Sequence, residues 1–376
     1  MGYVEGVMLR LLHVASPSGR TDHVMQLVGD EITRLGMSFE LTRRGVLIGE
    51  LAGEGGTAVS DRAVVVHADT IGCIVQRLKE NGRLEVAPVG IHSARFAEGA
   101  RVTIFVDDLE RTYVGTILPL QASGHRFGEV VDNQPAGWDH VEVRVDEPVG
   151  NDADLAALGI QVGDFVALDA NPVITPSGYV SSRHLDDKAG VAAAMGAFKA
   201  LIDNHVTIPV TAHLLVTIAE EVGLGASHGL DADMAELLSI DTSVVAPGQA
   251  SSEHTVNIAM QDSHGPFDYH LSRRLIGLCQ EQGIDHRRDV YRFYRSDAAS
   301  ALEAGAETRA ALIGFGIDAS HGHERTHLDG IRRVAELVAC YLQTDLTFRQ
   351  WDTSPRGPLG DFPSTLVQPA DDQGPR

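Results

Sequence analysis

The stretch Leu214-Leu215-Val216-Thr217-Ile218-Ala219-Glu220-Glu221-Val222-Gly223 sets an aliphatic run directly against two adjacent acids. A run that is apolar at successive positions, without alternation, reads as a strand buried on both faces of a parallel sheet. Carboxylates ending such a strand would be costly to bury without a partner. In extended backbone neighbouring side chains point apart, so one Glu can ligate a metal while the other faces a water as base. A solvated strand end is the plainer alternative.

Working outward, the segments 64–66, 237–240 and 310–315 are equally short and rich in aliphatics. Helical spacing is expected over 3–14, stopped by Ser16-Pro17-Ser18-Gly19, and over 21–35, 188–202 and 267–282. Strands alternating with helices imply an α/β/α sandwich on a largely parallel sheet. Between about Gly72 and Asp169 the texture changes to short alternating segments, with a hairpin turn expected at Asn81-Gly82. This stretch reads as a β-barrel-like unit inserted into the sandwich. The expected boundaries are a catalytic domain at 1–72 and 171–348, an insert at 73–170, and a disordered Pro-rich tail at 349–376. A chain of 376 residues is long enough for two cores.

Thirty Lys and Arg against 52 Asp and Glu give a formal charge of -22, which repels phosphate backbones and anionic bilayers alike. Nucleic acid and membrane are therefore not expected as partners. No export signal or spanning run is apparent, and Cys73, Cys279 and Cys340 are scattered as reduced thiols would be. The expected compartment is the cytoplasm.

The chemistry concentrates where apolar runs end. His67 and Asp69 follow the run 64–66, two positions apart. Asp186 and Asp187 precede the alanine-rich helix, where capping alone would account for one of them. Asp241 ends the run 237–240, and Asp318, His321, His323 and His327 follow 310–315. Each has an ordinary structural explanation in isolation. Together His67, Asp186, Glu221, Asp241 and one late His fall on the rim where open α/β sheets build their sites. Two imidazoles and three carboxylates suit a pair of zinc-like or cobalt-like ions that share one carboxylate. Gly223, Gly225 and Gly229 lack the Lys-Ser or Lys-Thr of a phosphate loop and read as a turn.

At these residues the chain resembles the glutamyl aminopeptidase and tetrahedral aminopeptidase family of co-catalytic metallopeptidases, some of which are labelled endoglucanases. The likeness runs from Ser16-Pro17-Ser18-Gly19 to about residue 345. His67, Asp69 and Gly72 match a His-x-Asp-x-x-Gly segment, Leu185 to Gly190 a Leu-Asp-Asp segment, and Glu220 to Gly223 a Glu-Glu-Val-Gly segment. The resemblance implies that His67 and Asp241 each bind one metal, that Asp186 bridges, and that Glu221 and a late His complete the set. It further implies Glu220 as general base and Asp69 as the carboxylate that orients His67. The insert would be a dimerisation domain, and relatives assemble into twelve-subunit shells.

Two places depart from the family pattern. Tyr294-Arg295-Ser296-Asp297 stands where the family has Gly-Gly-Thr-Asp near the substrate, making Arg295 and Asp297 candidate substrate contacts and leaving the preferred side chain open. Ser320-His321-Gly322-His323-Glu324 differs near the last ligand, for which His321 is the choice and His323 and His327 are alternatives. This segment resembles a branch linked to biosynthesis of an acetylated glutamine dipeptide osmoprotectant, which implies a small modified peptide as substrate.

The resulting expectation is a metallo-aminopeptidase with two divalent ions per subunit, zinc or cobalt with manganese as a further option, acting on peptides as a homo-oligomer. The alternatives are a metal-dependent deacylase or amidase on an N-acylated small molecule, and a metal-stabilised assembly without turnover.

Overall fold

The computed structural model describes residues 1–56, 60–231 and 234–348. The Pro-rich tail expected at 349–376 lies outside the described residues. A nine-stranded sheet runs in the order Ser38–Leu41, Leu47–Leu51, Ala212–Thr217, Asp61–His67, Met234–Val244, Arg309–Ile317, Val256–Asp262 and Gly265–Pro266, with His286–Val290 also paired to Val256–Asp262. Its four central strands, from Ala212–Thr217 to Arg309–Ile317, are mutually parallel. Both faces of that centre are covered, which is why its strands are aliphatic at nearly every position. The α/β sandwich with a largely parallel sheet is therefore the observed architecture.

The helix Leu185–Asp203 is buried almost all round. Its alanines let it lie close to the sheet on one side and to the helices Gly2–Leu12 and Leu328–Leu342 on the other. Tyr269–Gln282 begins where the Asp268 carboxylate accepts from Leu271 N at 2.8 Å and ends at Gly283, whose φ of 66° closes it.

Six strands close a barrel in the order Gly72–Leu78, Arg83–Val89, Val141–Val145, Arg111–Pro119, Arg101–Val106 and Phe165–Leu168. It has its own apolar core, which includes Val75, Leu84, Ile104, Ile117, Val143 and Val166. The turn at Asn81-Gly82 joins its first two strands, with Gly82 at φ 73°. A three-stranded sheet, Val173–Ile174, Tyr179–Ser182 and Glu324–His327, lies between the return of the chain from the barrel and the last helix. Among the described residues no helix is long and apolar enough to cross a membrane, and the three cysteines are free.

At the end of the sheet opposite the carboxyl rim, Arg62 and Glu236 are fully buried 4.0 Å apart. Arg62 donates to the main-chain oxygens of Tyr341 (2.6 Å) and Thr344 (2.8 Å), while Glu236 accepts from the Tyr341 hydroxyl at 2.6 Å and from Thr347 N at 2.5 Å. The last helix is thus tied to the sheet by a buried charge pair. Glu236→Ala leaves the guanidinium buried without its partner and is expected to cost about 3–5 kcal/mol in denaturant unfolding. A loss under about 1 kcal/mol would show that the clamp is not needed.

Candidate metal centre

The registered pairing of Asp61–His67 with Met234–Val244 stops at Val65–Ser239, short of His67 and Asp241. The crevice opened there, at the carboxyl ends of parallel strands, is where such sheets place their sites. The sequence reading ends the second strand at Ile240, whereas the strand continues to Val244, so Asp241 projects from within it.

His67 is the last residue of its strand, and its Nδ1 donates to Asp69 O at 3.1 Å, which turns Nε2 into the crevice. There Nε2 lies 3.2 Å from Asp186, 3.9 Å from Glu220 and 4.0 Å from Asp241. The Asp69 carboxylate is farther from Nδ1, at 3.6 Å. It accepts from Ser18 Oγ (2.5 Å) and from the backbone N–H groups of Glu220 (3.2 Å) and Glu221 (3.4 Å), fixing the turn that carries both acids.

That turn is where the extended-strand reading fails. The strand ends at Thr217, and residues 220–223 form a turn closed by Gly223 at φ 77°. Glu220 faces His67, while Glu221 lies 3.4 Å from His321 Nε2 with its other oxygen accepting from Ile71 N at 3.2 Å. Asp186 leaves the helix it introduces, with ψ of 110°, and points into the crevice. One of its oxygens is 3.2 Å from His67 Nε2 and the other 3.4 Å from His321 Nε2.

His321 is the late histidine that reaches the cluster. Its Nδ1 donates to Ile91 O at 2.7 Å, again leaving Nε2 toward the acids. His323 is exposed. His327 caps the last helix, with Nδ1 accepting from Asp329 N (3.0 Å) and Nε2 donating to Ser177 O (2.8 Å), so neither nitrogen is free. It stacks near His254 in a separate His254, His327, Asp329 group whose acid is held by Arg332.

The donors in the crevice thus form two sets, His67 with Glu220 and Asp241, and Asp186 with Glu221 and His321, whose ligand atoms within each set lie within 4.8 Å of one another. Sequence reasoning missed Glu324, a buried acid that accepts from Asp186 N (3.2 Å) and His321 N (3.0 Å) and so spaces these two residues. It also missed Thr242, whose N–H holds Asp241 at 2.6 Å and whose hydroxyl donates to Asp186 at 3.3 Å. Neither has a composition signal, because each acts on Asp186, which is distant in sequence.

A cleft of about 850 Å³ lies over the two sets, a size suited to a small ligand, with Val222, Pro247, Tyr291 and Phe293 in its walls. Arg295 lines it, but its guanidinium is engaged by Glu303 at 2.7 Å. Asp297 is placed beneath the cleft rather than in its wall. It is buried and accepts from Thr217 Oγ1 (2.8 Å) and Ala226 N (2.6 Å). A Cβ on Gly225 would stand 1.6 Å from its carboxylate, so only glycine lets the turn close over it.

Charge is badly unbalanced here. Asp69, Asp186, Asp187, Glu220, Glu221, Asp241, Asp297 and Glu324 gather around His67 and His321. Burial, reinforced by Asp241, Asp297 and Glu221 against the pull of His67, holds Glu220 well above the ordinary carboxyl range. Burial and Asp186 do the same to Asp241. Glu221 is pushed up to about 7 by burial and its acid neighbours, and Glu324 to about 8. Burial alone would lower His321, but Glu221 and Asp186 raise it to about 11. A site that draws protons onto carboxylates and imidazoles together is short of positive charge. Mixed nitrogen and oxygen donors fit borderline divalent ions that would supply it.

A pH dependence follows. Glu221, Glu324 and His321 each bind their proton more tightly folded than unfolded, so the stability these protons contribute is lost as pH rises from 4.5 toward about 11. Chelated protein is expected to melt at lower temperature at about pH 9 than at about pH 6, with the slope flattened by added divalent cation. A melting temperature of chelated protein that climbs over that interval would contradict the charge reading.

Residues 45–337 match the model of the M42 glutamyl aminopeptidase family. YhfE of Bacillus subtilis (strain 168), which carries an aminopeptidase name, is 35% identical over 339 residues, covering 89% of this chain and 96% of that protein. The aminopeptidase APDkam598 of the archaeon Desulfurococcus kamchatkensis shares the fold at a TM-score of 0.84 and 21% identity, over 95% of this chain and 99% of that one. The TET1 peptidase of Pyrococcus horikoshii, described as able to assemble into a tetrahedron or a large octahedral shell, superposes at a TM-score of 0.78 and 22% identity, over 90% and 99% of the two chains. With a family match that takes in the central strands of the sheet, the barrel and both donor sets, the chain belongs to the M42 glutamyl aminopeptidases, a family of metal-dependent peptidases.

Proposed function

We propose that the chain is a dinuclear exopeptidase that removes residues from the N-terminus of short peptides. The observation that carries this reading is Asp186, which offers one oxygen toward each of two imidazoles 119 and 135 residues away in sequence, 186 − 67 and 321 − 186. It supports Asp186 as the carboxylate shared between two ions, with His67 and Asp241 on one side and Glu221 and His321 on the other. Zinc or cobalt suits these donors best, and manganese is a further option. Bound there, the pair would polarise the scissile carbonyl and lower the pKa of an attacking water toward neutrality. In this reading Glu220, largely buried and held through its backbone by Asp69, would take the proton of that water and return it to the leaving amine. Asp69 orients His67 through its main-chain oxygen and sets the Glu220 turn through its carboxylate.

The substrate class we favour is a small modified peptide, presented through the free N-terminal amine, in the cleft beside Arg295. Cytoplasmic residence and a homo-oligomer of barrel-paired dimers, ultimately a dodecamer, complete the reading. The test is hydrolysis of aminoacyl peptides and their N-acetylated counterparts by chelated protein, before and after addition of zinc, cobalt or manganese. The proposal expects cleavage of free-amine substrates only with cation. Preference for the acetylated forms would make the protein a deacylase, and cation binding without hydrolysis of either would make it a metal-stabilised assembly.

A further inference from the structure

The two donor sets differ in what holds them. The His67 ring is braced two residues along its own chain, by Asp69 O. The His321 ring is braced by Ile91 O, 230 residues away and on the loop that follows the barrel strand Arg83–Val89. Glu221 depends on the same unit. Its carboxylate is held by Ile71 N, immediately before the first barrel strand, and its backbone packs against Gly90. At Gly90, φ is 81° and a Cβ would stand 3.0 Å from Ile71 Cγ2 and 3.3 Å from Glu221 O, so this close approach requires glycine.

The loop is fixed in turn from within the barrel. Trp138 Nε1 donates to His92 O at 3.2 Å, and the two rings meet edge to face with centroids 4.8 Å apart. Trp138 opens the turn Trp138–His140 that leads into the barrel strand Val141–Val145. A single carbonyl, that of Ile91, therefore passes the barrel's position to the imidazole, selects its tautomer and aims Nε2 at Asp186 and Glu221.

We infer that Trp138 and Gly90 are positioning residues for the Asp186, Glu221, His321 donor set, so that the barrel completes one of the two cation sites while the other rests on the sheet strands that carry His67 and Asp241. The inference rests on the dinuclear reading above. Loss of a group that orients a metal-binding histidine typically weakens binding 10–100-fold. Here the weakening falls on one site of two.

The experiment is calorimetric titration of chelated, full-length protein with zinc or cobalt, with His321→Ala and His67→Ala used to assign each binding step to its donor set. In Trp138→Phe, which keeps an aromatic ring and loses the N–H, the step removed by His321→Ala is expected to weaken about tenfold while the step removed by His67→Ala is unchanged. Gly90→Ala, which displaces the loop by a different route, is expected to give the same split. Both steps unchanged, or both weakened alike, in these variants would overturn the inference and leave the dinuclear reading standing. Fewer than two cations bound by the unaltered protein would take down that reading and the inference with it.

Discussion

Glu220→Gln is expected to retain its divalent ions and lose turnover by about 10²–10⁴-fold, the usual contribution of a positioned general base. The substitution changes almost nothing but the proton-accepting atom. The side chain is about 10% exposed, its turn is held by the Asp69 carboxylate through backbone N–H groups, and the amide keeps the size of the acid. Metal analysis beside kcat on an aminoacyl peptide separates the outcomes. Lost activity with lost metal would make Glu220 a ligand first, and near-normal kcat would remove it from the chemistry.

Asp186→Ala is expected to be more severe, with fewer than two ions retained per chain and a rate fall on the order of 10³-fold or more, because the polarisation that several kcal/mol of rate depends on goes with them. Neither Glu324 nor Thr242 can take its place. Glu324 is already committed to the backbone N–H groups of residues 186 and 321, and the Thr242 hydroxyl cannot supply charge. The variant also leaves His67 and His321 facing one another across the gap between 3.2 Å and 3.4 Å contacts that the carboxylate now fills. Equilibrium dialysis against zinc or cobalt checks the count, and two ions per chain at unaltered affinity would refute a shared carboxylate.

Much of this was readable in the sequence because of how buried parallel strands advertise themselves. Residues 64–66, 214–219 and 237–240 are rich in aliphatics without polar alternation, so an acid or imidazole at their ends stands out against its background. His67, Glu220, Glu221 and Asp241 stand out that way, and Asp186 as one of two adjacent acids ahead of the alanine-rich helix. The strand Ser38–Leu41 had no such contrast, since it is exposed along its whole length at the sheet edge. Glu324 has no role assigned from the sequence, and only the three-stranded sheet that folds it inward makes it a spacer for Asp186 and His321.

Main-chain groups leave no trace in composition. Ile91 serves through its carbonyl alone, with an exposed side chain, so nothing about its identity marks it. Asp297 was visible as an acid near the cleft, but whether it faced a ligand or propped a turn depended on Thr217 and Ala226, distant in sequence and brought together by the sheet. The choice among His321, His323 and His327 likewise turned on backbone, for His321 adopts φ of 60° and swings its ring inward while His323 stays in solvent.

The most direct measurement is anomalous diffraction from crystals of the protein grown with cobalt or zinc. The account predicts two peaks in the crevice, one contacting His67 and Asp241, the other Glu221 and His321, with Asp186 touching both. A single peak, or ions bound only away from these side chains, would contradict it.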